Sequence, residues 1–234
     1  MALPKLNDSP KYEVVVPSMK TKVRFRPYLV KEEKVLMMAM EAQETKKALS
    51  AIVDTIDACV HDDLDTRKLT TFDVEYLFTQ IRSKSVGETS QVHVPCDKCE
   101  SPIELTIPLS EINVDVPEDL SNTVKLTDDI TLQLKWPTYT ELLEMDMDVE
   151  DIGETFKMIS KCIEYVQTPE ENINLKDESE EEIQAFIDQL TTEQFGYLRE
   201  WIEQMPRLEH KVDLHCTQCG HKEERILAGI NNFF

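Results

Sequence analysis

The chain has 234 residues, 41% of them hydrophobic and 30% charged, enough to bury a sizeable core and too apolar for a disordered segment. Its 25 basic and 46 acidic side chains give a formal charge of −21, which repels phosphate and argues against general nucleic-acid binding. No apolar run of about 18 residues offers a membrane span, and the start, MALPKLNDSPKYE, lacks the apolar core of a signal peptide, so a soluble cytosolic protein is expected.

The first element is a β-hairpin over residues 11–30. KYEVVVPSMKTKVRFRPYL alternates strand formers on both sides of Pro17, Ser18 and Met19. Lys22, Arg24 and Arg26 share one face, Val23 and Phe25 the other. Residues 11–31 carry 6 basic side chains and 1 acidic. This face reads as solvated surface, with docking on an acidic partner as the alternative. Residues 31–87 read as helical. Leu49, Ile52, Val53, Ile56 and Val60 recur at helical spacing, in one long helix over 31–61 or two broken near residues 44–47. Met37, Met38 and Met40 read as core packing, with an adaptable binding surface as the alternative. LTTFDVEYLFTQIRSKSVGE predicts a further helix, capped by Thr70 with Asp73 in its first turn and striped by Val74, Leu77, Phe78 and Ile81.

Short strands are expected at about 91–95 and 103–107, and another over ITLQLKW. Residues 139–206 read as an acidic helical region, with helical character from Tyr139 to Val166, an exposed polar loop at TPEENINLKDESEEE and two further helices. Ser179 with Glu182, and Thr191 with Gln194, match capping boxes. Leu198, Trp201, Ile202 and Met205 form the buried side of the last helix, and Pro206 stops it. Residues 139–210 hold 20 acidic and 5 basic side chains, net −15. Acid pairs such as those in EMDMDVED arise by chance in so acidic a stretch. No Gly/Ser linker divides the chain, so one composite domain over 1–234 is expected. Its fold class is α+β, mainly helical, with the N-terminal hairpin.

The chemistry lies in two cysteine pairs. VHVPCDKCESPIELTI holds Cys96 and Cys99; KVDLHCTQCGHKEERIL repeats the arrangement with Cys216 and Cys219. Two residues between cysteines present two thiolates from one tight turn, and two such turns supply the four soft ligands of a closed structural zinc site. Gly220 suits the tight backbone of the second turn. The strand-like flanks predict two hairpins, 91–107 and 211–227, paired as a split zinc ribbon with one zinc per chain. Bridging them would pin a mid-chain segment to the C-terminal end. Two disulfides, a redox-active pair and an iron–sulfur cluster are the rivals. A catalytic zinc is disfavoured, because four thiolates leave no open position for water. His93, His215 and His221 lie close enough to the pairs to replace a cysteine ligand, but each reads first as a surface histidine, while Cys59 and Cys162 read as buried core thiols. No phosphate loop, GxSxG or HExxH motif occurs, and a non-enzymatic protein is expected.

EVVVPSMKTKVRFRPYLVKEEKVLMMAMEA, FDVEYLFTQIRSKSVGE and the closing QCGHKEERILAGINNFF together resemble the baseplate hub subunits and hub-assembly proteins of T-even-type contractile-tailed bacteriophages. That resemblance implies a non-enzymatic role in building the tail baseplate hub and other hub proteins as partners. It also implies a location in the host cytoplasm during assembly or in the virion tail baseplate. It brings no catalytic residues. A zinc-ribbon adaptor binding a host or phage RNA polymerase subunit is the alternative, and a redox enzyme using the CxxC pairs is a third reading. In LAGINNFF, Ile230, Phe233 and Phe234 either fold back into the core or anchor the chain to a partner.

Overall fold

In a computed structural model, residues 10–42, 44–117, 120–145 and 152–233 are described. The chain divides into two compact units. Unit 1 holds residues 1–116 and 207–234, and unit 2 holds residues 117–206. The expected single domain is thus split, and the boundaries fall beside Pro117 and Pro206. The split follows from burial: each unit encloses an apolar cluster of its own.

Unit 1 opens with the antiparallel hairpin β1 (Tyr12–Val16) and β2 (Thr21–Phe25). Val14, Val16, Val23 and Phe25 are buried on one face, as the alternation requires. Arg26 leaves that alternation. Just past β2 its side chain is part-buried and paired with Glu32, so the wet basic face consists of Lys22 and Arg24. Two helices follow, α1 (Val30–Glu41) and α2 (Thr45–Cys59), so the long-helix alternative fails. Core packing of the methionines fails too. Met37, Met38 and Met40 are 59%, 61% and 53% exposed, and among the described residues of α1 only Glu32 and Leu36 are buried. Helix α3 (Thr71–Ser85) is capped by Thr70 and Asp73 as expected, and buries Val74, Leu77, Phe78 and Ile81. Asp73, fully buried, also accepts hydrogen bonds from the Ser18 backbone N–H (2.9 Å) and hydroxyl (2.6 Å), joining the hairpin turn to the helix start. Then come β3 (Thr89–Pro95), β4 (Pro102–Pro108) and the short β5 (Asn113–Val114).

Unit 2 is a four-stranded antiparallel sheet in the order β6 (Thr123–Lys125), β7 (Thr131–Leu134), β8 (Ile163–Gln167), β9 (Asn172–Asn174). It carries helices α4 (Tyr139–Leu143), α5 (Ile152–Cys162), α6 (Glu180–Ile187) and α7 (Thr192–Glu203). Two expectations change here. Helical character stops at Cys162, because IEYVQ pairs as a strand with both β7 and β9. Its β-branched and aromatic residues suit a pleated surface flanked on both sides. The polar loop contains β9 and a buried Leu175. Both capping boxes are present. Leu198 and Trp201 enter the core, with Ile202 packed against it. Trp136 stacks on Trp201 at 3.8 Å between ring centroids. Most of EMDMDVED lies outside the described residues.

The chain returns to unit 1 with β10 (Leu208–His215) and β11 (Lys222–Ala228), in a three-stranded sheet ordered β11-β10-β5. Phe233 is fully buried in the core cluster with Ile112, Leu208 and Leu227, and its carbonyl accepts from the Ser90 hydroxyl at 2.5 Å. Ile230 is buried as well, which places both residues in the core; Phe234 lies outside the described residues. The whole is a mixed α/β fold with an N-terminal strand pair, richer in strands than the helical periodicity suggested.

Candidate metal centre

The two cysteine hairpins are built alike. The Cys96 N–H donates to the Ser101 carbonyl (3.0 Å) and the Glu100 N–H to the Cys96 carbonyl (2.8 Å). The Cys216 N–H donates to His221 and the Gly220 N–H to Cys216, both at 2.9 Å. Each turn needs a left-handed residue directly after its second cysteine: Glu100 has φ 57° and Gly220 has φ 73°. The likeness extends past the turns. Leu109 N–H bonds Glu88 and Gly229 N–H bonds Leu208, each at 2.9 Å, so the strand ends close in the same way. Ile107 and Leu227 are buried near those ends, and Ile112 and Phe233 both fill the shared core. The closing LAGINNFF therefore plays the part that PLSEI plays after β4.

This near-symmetry brings four sulfurs together. The Sγ atoms of Cys96, Cys99, Cys216 and Cys219 all lie within 4.8 Å of one another. Cys96 faces Cys219 at 3.7 Å and Cys99 faces Cys216 at 3.5 Å, and all four are free thiols. Zinc–thiolate bonds of about 2.3 Å in a tetrahedron put sulfurs about 3.8 Å apart, so the donor set fits such an ion. Four cysteines this close can hold a metal ion. Cys96 and Cys216 are buried; Cys99 and Cys219 are exposed.

Hydrogen bonds from the Ser101 side chain and backbone, then from Cys219, draw the Cys99 thiol down to about 6. At Cys219 the His221 backbone bond favours the thiolate, but desolvation and the hydrogen bonds to Cys99, Cys216 and Cys96 outweigh it and push the thiol up to about 12. Crowded thiols cannot all ionise unless positive charge is placed among them. Cys59 and Cys162 stand apart as core thiols, raised to about 11 and about 12, in each case chiefly by burial.

The sequence reading missed one participant. Arg225 of β11 donates to the Pro95 carbonyl (3.0 Å), to Asp97 Oδ1 (2.5 Å) and to Glu223. It ties the second hairpin to the turn of the first, a contact across 130 residues that no local pattern signals. Among the described residues, the candidate ligand group contains no histidine. His221 instead faces Glu223 at 3.3 Å.

The family description "T4 bacteriophage base plate protein" matches residues 9–234, which takes in both hairpins and the core between them. The chain belongs to this base plate family. It is also similar to the baseplate hub assembly protein gp26 of Enterobacteria phage T4, with 23% identity over 190 residues, covering 81% of this chain and 85% of that protein. No solved structure matches. A base plate protein is thus a structural or assembly part of the phage tail, which accords with the resemblance drawn from the sequence. The polymerase-adaptor alternative gains no support. No helix among the described residues is long and apolar enough to cross a membrane.

Proposed function

We propose that this chain is a non-enzymatic structural or assembly protein of the phage tail baseplate hub, whose unit 1 is closed by one zinc ion on Cys96, Cys99, Cys216 and Cys219. The observation that carries the role is the family match across residues 9–234, joined by the similarity to a hub assembly protein. The clasp rests on the convergence of four sulfurs within 4.8 Å from turns separated by the whole of unit 2 in sequence. The two hairpins then form a zinc ribbon, with Arg225 as a second tie between them. Loop closure costs grow slowly with length, and a structural zinc contributes on the order of 10 kcal/mol in small zinc peptides. A single ion can therefore brace a fold whose halves are remote in the chain. All four positions are filled by thiolate, so the ion braces and opens no coordination site to substrate.

The partners are other baseplate hub proteins, met in the host cytoplasm during assembly. Fractionation of infected cells with mass spectrometry tests the role: the protein co-purifies with hub proteins, in finished virions if it stays and in assembly intermediates if it leaves. Co-purification with RNA polymerase and no tail protein would overturn it. Elemental analysis tests the clasp, with one zinc per chain expected and a loss of zinc in Cys99→Ser. Metal content unchanged by that substitution would remove the clasp and leave the baseplate role intact.

A further inference from the structure

Unit 2 carries a groove of about 640 Å³ beside β9 and α6, within the range of about 300–1,000 Å³ typical of binding sites. Its floor is apolar, from Ile130, Val166, Ile173, Ile183 and Phe186. Its rim is acidic, from Glu171, Asp177, Glu178 and Glu182, all exposed. Among the described residues, no lysine or arginine lines it. Among the described residues, Glu171, Asp177 and Glu178 make no ion pair, whereas Glu182 accepts from the backbone and hydroxyl of its cap, Ser179.

We propose that this groove binds a short segment of a partner protein in which a large apolar side chain is flanked by lysine or arginine. The floor removes apolar surface from water, which supplies affinity. The unpaired carboxylates select cationic flanks and repel acidic ones, which supplies specificity and speeds encounter. A second copy of this chain is a poor occupant. It brings a charge of −21 against an acidic rim, and three cations of its basic hairpin are already engaged: Lys22 with Glu13, Arg24 with Asp62, Arg26 with Glu32. The proposal deepens the hub-assembly reading by giving the chemistry of one partner segment. It rests on that reading only for which protein supplies the segment.

The test uses the purified full chain, immobilised and screened with a positional-scanning octapeptide library, followed by anisotropy measurements on the selected peptide. Selected peptides carry Leu, Ile, Met or Phe between basic residues. Replacing that apolar residue by Ser weakens binding about tenfold or more, the equivalent of one buried large side chain. The exposed pair Glu171→Lys with Glu178→Lys also weakens it about tenfold, and high salt weakens it further. A matched reversal on exposed strand positions of unit 1, Glu104→Lys with Glu209→Lys, changes it less than about twofold, which separates the groove from the net charge of the chain. Circular dichroism confirms that both variants stay folded. Three results overturn the proposal: no enriched peptide, enrichment without basic flanks, or equal losses in the two reversals. None of them bears on the virion fractionation, so failure here is distinguishable from failure of the baseplate role.

Discussion

Glu32 and Arg26 show how much a single pair of side chains decides. Glu32 is 7% exposed, and burial alone would push its carboxyl up. Hydrogen bonds from Arg26, the Leu29 backbone N–H and Lys31 outweigh that and hold it at about 2. Because the folded value lies below the ordinary carboxylate value, this pair's stabilisation is fully present above about pH 4.5 and is lost as the pH falls toward 2. Urea midpoints measured across that window should decline in the native protein and decline less steeply in Glu32→Gln. The variant should also lose about 1–3 kcal/mol at neutral pH, because the part-buried Arg26 keeps only the Pro27 and Ala58 carbonyls as partners. At the two cysteine turns the backbone sets the residue. Gly220→Ala meets no neighbouring atom within 4 Å, so its cost is conformational only, about 1–2 kcal/mol in chemical denaturation. Glu100→Gly, at the matching left-handed position, should stabilise by under about 1 kcal/mol, since relief of strain is offset by the entropy glycine adds to the unfolded chain.

At the scale of the element, α1 is the instructive case. VLMMAM reads as core from its hydropathy, yet its apolar side chains are spread around the helix rather than gathered on one side. Only the side bearing Leu36 meets the rest of unit 1. The double substitution Met37→Gln with Met38→Gln should therefore leave the melting transition within about 0.5 kcal/mol of the native protein. Leu36→Ala should cost about 2–5 kcal/mol. A large loss in the methionine double variant would mean that α1 packs through its outer face. Helix α5 and strand β8 teach the converse. Ile159, Cys162, Ile163 and Val166 are all buried, but the last two are buried as sheet. Periodicity located the apolar residues without deciding which backbone carries them, because short apolar runs satisfy both periods. Where local hydrogen bonding decides, at Thr70, Ser179 and Thr191, the caps fall where the side chains alone put them.

For the whole molecule, the division into two units changes what the proposed clasp should do. Its four cysteines all lie in unit 1, and unit 2 has a separate apolar cluster. Both tryptophans of the chain, Trp136 and Trp201, are in unit 2. Removing the metal with a chelator, or replacing Cys99 with Ser, should speed hydrogen exchange in β3, β4, β10 and β11. The tryptophan fluorescence transition should keep its midpoint. A tryptophan transition that moved with metal content would show the two units unfolding as one. The same division explains why one domain was expected: the boundary is set by which residues pack together, and the prolines beside it are too common in loops to mark it.

The sequence by itself determined the N-terminal hairpin, the capped helices, the four metal-ligand candidates and the base plate family resemblance. Each of these is written in neighbouring residues or in short phrases, where backbone geometry and local hydrogen bonds act. Only the tertiary structure decided that the methionines face outward, that IEYVQ is a strand, and that Phe233 is core. It likewise decided that Arg225 ties the second hairpin to the turn of the first and that the sulfurs converge. These depend on contacts between residues far apart in the chain, whose energy exists only once the fold has brought them together.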